Sequence, residues 1–150
     1  MPVPAPTQNE TIIQTLFGEC FNQGKLELLE QLVSTDYLPD YVGARGARGR
    51  DGFKFILGLR AAFPDIHYTL DDILAAGDRV AVRWHWTGTH QGEFRGISAS
   101  QKPVSTTGNG IFRLRDGKIV GGSLETDRLG FLQQLGVVAP DEMLLPPPPR

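Results

Sequence analysis

At Ile66 the spacing of apolar residues changes from a helical to a strand period, and this switch restricts the chain to one fold class. Before it, Ile12, Ile13, Leu16, Phe17, Cys20 and Phe21 recur at helical intervals behind a Thr7–Glu10 capping-box pattern. Gly24 stops that helix. A second helix is predicted over Leu26 to Val33 and a third from Asp51 to Phe63, ended by Pro64-Asp65. Between them, Asp36 to Tyr41 reads as a break, because Pro39 discourages helix. After the switch, Ile66, Tyr68 and Leu70 alternate with polar residues, and Val80, Val82, Trp84 and Trp86 share one face. A long strand is predicted from Val104 to Leu114, turned by Asp116-Gly117 into a last strand through Ile119, Val120 and Leu124. Helices followed by an antiparallel meander make an α+β fold, with about three N-terminal helices laid on the concave face of a curved sheet. Such a cone holds an apolar pocket with a few polar groups at its floor. Glycines 88, 92, 96, 108 and 110 supply places for the sheet to bend.

The 150 residues suffice for one domain, expected over residues 7–138. Residues 1–6, with prolines at 2, 4 and 6, and the proline-rich residues 139–150 read as tails. With 15 basic and 17 acidic residues the net charge is −2, which gives no electrostatic case for a nucleic-acid partner. Arg45, Arg48 and Arg50, interleaved with glycines, form either a solvated loop, a grip for an acidic ligand or a lid over the cone. A single cysteine, Cys20, excludes an internal disulfide and a cysteine-built metal site. No apolar run approaches membrane-spanning length and no secretory leader pattern opens the chain, so a cytoplasmic location and no membrane partner are expected.

The stretch from Gly117 to Gly136 carries the acid of most interest, Asp127. On a strand, Ser123, Glu125 and Asp127 point the same way. If that way is inward, Asp127 sits in an apolar cavity where burial raises its pKa and suits it to general-base work. Alternatively, Asp127 N-caps a short helix beginning at Arg128 and carrying Leu129, Phe131, Leu132 and Leu135.

The run from Ala62 to Ile97, with its Phe-Pro-Asp and Gly-Thr-His-x-Gly elements, followed by Ile111 to Ile119 and the Asp-x-Leu-Gly…Gln-Leu-Gly ending, resembles the SnoaL-like polyketide cyclase family. The resemblance covers roughly residues 10 to 136. It implies the nuclear-transport-factor-2-like cone shared with ketosteroid isomerase, scytalone dehydratase and limonene-epoxide hydrolase. It also implies a homodimer. Asp127 matches the family's general acid/base, which removes a proton α to a carbonyl and returns it after an intramolecular aldol step; no metal or organic cofactor is implied. His90 matches the histidine of the Gly-Thr-His element and is expected either to polarise a carbonyl or orient Asp127, or to be structural. Trp84, Trp86, Phe112 and Tyr41 are candidates to line the pocket for a hydrophobic substrate, with Asn109, Ser123 and Glu125 as polar contributors.

The sequence departs from the family in two places. Gly43 and Ala44 stand where a histidine usually follows Asp-Tyr-Val, and Gly121, Gly122 and Ser123 stand where an acid or histidine and then a tryptophan follow Gly-Lys-Ile-Val. Loss of the tryptophan either enlarges the pocket or is refilled by Trp86 and Phe112. The leading expectation is a cofactor-independent cyclase or isomerase of carbonyl-rich metabolites. The alternatives are a non-catalytic ligand-binding or dimerisation module, and a hydrolase or dehydratase that uses Glu125 beside Asp127.

Overall fold

The computed structural model describes residues 6–140. The two expected tails therefore lie outside the described residues, apart from Pro6, Ala139 and Pro140. Helix α1 (Gln8–Thr15) opens with the predicted capping box: Thr7 Oγ1 accepts from the Glu10 amide, and the Glu10 carboxylate accepts from the Thr7 amide, both at 3.2 Å. Its wider π-helical continuation, Leu16–Phe21, brings the Phe17 and Phe21 rings to 4.9 Å. Gly24 then ends it at φ +72°, a left-handed position that glycine fills without strain. A 3₁₀ turn (Leu26–Leu28) leads into the short α2 (Leu29–Leu32), and a second (Gly49–Phe53) leads into α3 (Phe55–Ala62).

Five strands follow the order β1-β5-β4-β3-β2. Strands β2 (His67–Ala76), β3 (Arg79–Thr89), β4 (Pro103–Arg115) and β5 (Lys118–Thr126) form the expected meander. Val80, Val82, Trp84 and Trp86 all face inward, as their spacing predicts. A short helix, α4 (Arg128–Gln134), closes the fold after β5.

Two expectations require correction. The segment read as a break is strand β1 (Val33–Asp40), and the predicted second helix stops at Leu32 because Val33 already pairs with Ile119. Strand β1 runs parallel to β5, so the sheet is mixed rather than wholly antiparallel. Pro39 is tolerated because β1 is an edge strand, where one missing amide donor leaves no ladder partner unsatisfied.

The helices cover only the inner face, and the buried side chains form one cluster from Ile12 to Leu135. Fixing α3 to the sheet falls to the Phe-Pro-Asp and Gly-Thr-His elements, which pack on each other. Phe63 stacks on His90 with ring centres 5.2 Å apart, and the Asp65 carboxylate accepts both the amide and the hydroxyl of Thr89 at 2.7 Å. Gly88 permits this approach, since a Cβ there would meet the Phe63 Cβ at 3.2 Å.

The Thr89 amide and hydroxyl hold the Asp65 carboxyl below its usual range. Its contribution is therefore complete above the unfolded value of about 3.9 and is lost as pH falls through the lower folded value. Asp65 is exposed, which limits the effect. Asp65→Asn is expected to lower neutral-pH stability by roughly 1 kcal/mol. Urea titrations across pH should show the two proteins converging below about pH 4.

Candidate functional site

Between α3, the loop of residues 91–102, the inner face of the sheet and the start of α4 lies a cavity of about 530 Å³. This lies within the range of small-molecule sites, roughly 300–1,000 Å³. Its walls are aromatic and aliphatic: Tyr41, Phe55, Tyr68, Trp84, Trp86, Phe94 and Phe131, with Leu59, Leu124 and Leu132. Phe94 and Phe131 meet edge to face at 5.4 Å, and Trp86 meets Phe131 at 5.8 Å. Two glycines make room for this arrangement. A Cβ at Gly108 would run into the Trp84 indole, so glycine on β4 lets that ring lie across the neighbouring strand. A Cβ at Gly58, in the middle of α3, would meet nothing within 4 Å, and the position is exposed where α3 borders the cavity. A larger trough of about 850 Å³ lies on the opposite face of the sheet. It is lined by charges of both signs, such as Arg113, Arg115, Asp36 and Asp116, and has no aromatic wall.

Six charged side chains reach the cavity at its rim: Lys54, Glu93, Arg95, Glu125, Asp127 and Arg128. Asp127 is exposed there rather than buried, so the expectation of an acid enclosed in an apolar cavity is corrected. It N-caps α4, its Oδ1 accepting from the Gly130 amide at 2.9 Å. Its backbone is tied to β4: the Asp127 amide donates to the Thr107 carbonyl at 2.9 Å, and Thr106 Oγ1 donates to the Asp127 carbonyl at 3.3 Å. Both the cap and the place at the cavity thus belong to the same residue.

His90 is fully buried but is not among the residues that line the cavity; it lies behind Phe63. Its Nδ1 accepts from the Ser100 amide at 3.3 Å and lies 3.1 Å from the Ser100 hydroxyl, which assigns the proton to Nε2. Nε2 is buried with no partner among the described residues. Polarisation of a bound carbonyl by His90 therefore has no support in this geometry. The histidine instead ties both ends of the 91–102 loop, with its amide donating to Lys102 and its carbonyl accepting from Gln101.

Strand parity settles the other candidates. Gly122 and Leu124 face inward, so Ser123 and Glu125 face out, the reverse of what an inward Asp127 face requires. Asn109 is also on the outer face, where it accepts from Arg83 at 3.1 Å; the β3–β4 register runs through it without a bulge. Glu125 is exposed and borders both the outer face and the cavity rim. Phe112 is fully buried against Phe17, outside the cavity wall. Because Ser123 points outward, its departure from the family leaves no hole in the cavity. On the inner side, Gly122 is covered by the Tyr37 hydroxyl, 2.6 Å from a would-be Cβ, and by the Phe112 ring at 3.2 Å.

Trp84, Trp86 and Tyr41 lie in the cavity wall. Tyr41 donates to the Gly52 carbonyl at 2.8 Å and lies 3.1 Å from the Tyr37 hydroxyl. Burial pushes the Tyr41 phenol up to about 12, partly opposed by the Tyr37 hydrogen bond, so it stays protonated at neutral pH. The Tyr37 and Tyr68 phenols are driven up further by burial. The Gly43–Gly49 stretch is exposed for the most part; Arg45 lies 3.9 Å from Asp40, and Arg50 pairs with Glu30. Cover over the cavity comes instead from the 91–102 loop through Glu93, Phe94, Arg95 and Ile97. That contribution was missed because the loop has no apolar period. Among the described residues no group of three or more His, Cys, Asp or Glu could hold a metal, and no helix is long and apolar enough to cross a membrane.

The same architecture is found in known proteins. IdmH from Streptomyces antibioticus, a proposed polyketide cyclase, is 35% identical, with a TM-score of 0.73 over 87% of this chain and 100% of its own. A proposed polyketide cyclase from Acidithiobacillus ferrooxidans is 27% identical, with a TM-score of 0.80 over 91% of this chain and 100% of its own. AclR from Streptomyces galilaeus, a proposed hydroxylase, is 28% identical, with a TM-score of 0.79 over 91% of both chains. No curated protein matches the sequence. The model of the SnoaL-like polyketide cyclases matches residues 11–135, and the chain belongs to that family.

Proposed function

We propose that the protein is a cofactor-independent cyclase that closes a ring in a hydrophobic, carbonyl-rich small molecule by acid/base chemistry. The observation that carries this reading is Asp127 at the lip of an otherwise apolar, aromatic-walled cavity. Its Oδ1 is engaged by the Gly130 amide, while Oδ2 lies over the same glycine and makes no hydrogen bond among the described residues. In the proposed reaction Oδ2 takes a proton α to a carbonyl, and the electron pair of that C–H bond passes into an enolate. The enolate carbon attacks a second carbonyl of the same molecule, a C–C bond forms, and the new alkoxide recovers the proton from Asp127. A ligand that fills the cavity excludes water from the lip, which is the condition under which such a proton transfer is productive.

A binding module without catalysis is the second reading, favoured by the exposure of Asp127 and its capping role. The two readings separate at one substitution. Asp127→Asn keeps an oxygen for the cap, so the fold and ligand affinity should be retained. Turnover of a poly-β-carbonyl substrate, followed by absorbance as the ring forms, should fall about 10²–10⁴-fold. Unchanged output from the variant would support the binder.

Gly58→Leu tests whether the cavity is the site at all. The glycine costs α3 roughly 1 kcal/mol relative to a good helix former, and its open side faces the cavity. The variant should melt no lower than the wild type, yet ligand binding measured by calorimetry should fall at least about tenfold because the leucine occupies ligand space.

We also propose that the protein works as a homodimer, in the cytoplasm, and pairs through the outer sheet face. Leu74, Ala81 and Ile111 stand in register across β2, β3 and β4 on a face that, among the described residues, no helix covers. Leu74 is 69% and Ile111 50% exposed, an unusual concentration of apolar surface for a sheet left in water. Sedimentation velocity should find a dimer for the wild type and a folded monomer for Ile111→Glu.

A further inference from the structure

Resting on the cavity reading above, we propose that Arg95 selects ligands that carry a carboxylate at the end of an apolar ring system. Arg95 stands at the tip of the loop that covers the cavity and lines its rim. The tip is a tight two-residue turn: Phe94 and Ile97 exchange both backbone hydrogen bonds, at 3.0 and 2.8 Å. Arg95 and Gly96 between them have φ of +47° and +82°. Two successive left-handed residues define a turn that favours Asn, Asp or Gly. Arginine has no local reason to be at the first of these positions, and its backbone is strained there.

The guanidinium is braced rather than free to wander. It lies 5.6 Å over the Phe94 ring, which is itself packed against Phe131 in the cavity wall. Its Nη2 comes within 3.5 Å of where a Cβ at Gly43 would be, so the side chain crosses towards the opposite loop and glycine leaves it room. Among the described residues no carboxylate lies within ion-pair distance of Arg95 or of Arg128, which also lines the cavity, whereas Arg45, Arg50, Arg79 and Arg113 each have one. Of the two unpaired rim arginines, Arg95 is the one held over an aromatic ring of the wall. Lys54, also at the rim, is engaged by Asp51 at 3.2 Å.

A pre-positioned guanidinium with no internal partner offers a planar pair of donors, and the group that matches it two-for-two is a carboxylate. Glu93, Glu125 and Asp127 on the same rim disfavour the double charge of a phosphate. The aromatic wall below takes the ring system, which leaves the anionic end at the mouth beside Arg95. Arg95 is exposed, and its substitution leaves the core untouched.

The test is calorimetric titration at pH 7 of 2-naphthoate and its neutral counterpart 2-acetylnaphthalene into wild type, Arg95→Gln, Arg95→Lys and, as a control on the outer face, Arg115→Gln. The wild type and Arg115→Gln should bind naphthoate at least about tenfold more tightly than the ketone. Arg95→Gln should bind the two equally, with the ketone's affinity unchanged, and Arg95→Lys should fall between. Equal binding by the wild type, or a preference that survives Arg95→Gln, overturns the proposal and leaves the cavity reading standing. Failure of both ligands to bind the wild type overturns both.

Discussion

The contact of Phe63 with His90 joins the end of α3 to the far end of β3, directly behind the aromatic wall of the cavity. One hinge point does three tasks. Phe63 also contributes to the aromatic layer under the cavity, through Trp86 at 5.2 Å and Phe131 at 5.9 Å. Asp65 and Thr89 lock the backbone on either side. His90 holds both ends of the loop that forms the cover. Among the described residues the imidazole Nε2 has no partner, so the ring's hydrogen bonds are to Ser100 through Nδ1. The ring adds a side-chain tie to Ser100 beside the backbone bonds to Gln101 and Lys102.

Around this hinge the packing alternates between excess and shortage of side-chain volume. The inner face carries Trp84, Trp86, Tyr68 and Phe112 on adjacent strands, more bulk than a sheet of uniform residues accommodates. Gly108 yields to Trp84, and Gly122 yields to Tyr37 and Phe112. At α3 the balance reverses. Gly58 sits mid-helix with open space beside it, where alanine would favour the helix. The first two glycines serve the fold and the third serves the cavity, and only the surroundings of each distinguish them.

The sequence is most legible where one face of an element is in water. Val80 to Trp86 alternate cleanly because β3 has helices on one side and solvent on the other, and the inward placing of Trp84 and Trp86 follows from that. Strand β1 was hidden because it pairs with β5, more than 80 residues further along the chain, and shows Asp36, Pro39 and Asp40 where a strand signal is sought. Alternation also places Ser123, Glu125 and Asn109 on a common face without saying which face is inside. Gly122 is buried because Tyr37 from β1 covers it, a contact that the strand pattern of β5 alone does not show. Phe94 and Arg95 lie in an aperiodic loop, where only tertiary contacts assign a role.

Asp127 joins the fold to the proposed chemistry. A carboxylate that caps a helix is oriented by it: one oxygen is held by the Gly130 amide, and the backbone is pinned to Thr106 and Thr107 of β4. The second oxygen is thereby fixed in direction, with no need for a buried partner to aim it. What the cap does not supply is a dry environment, since the residue is exposed. Under the proposed function that environment arrives with the ligand, whose rings fill the aromatic cavity and displace water from the lip. Reactivity then depends on how completely a molecule fills the space below Phe94 and Phe131. A small ketone that binds loosely would leave Asp127 solvated and unproductive, whereas a ring-bearing substrate of matching length would not. Selection by size and shape in such a site comes from the walls, and the acid need only be held in place.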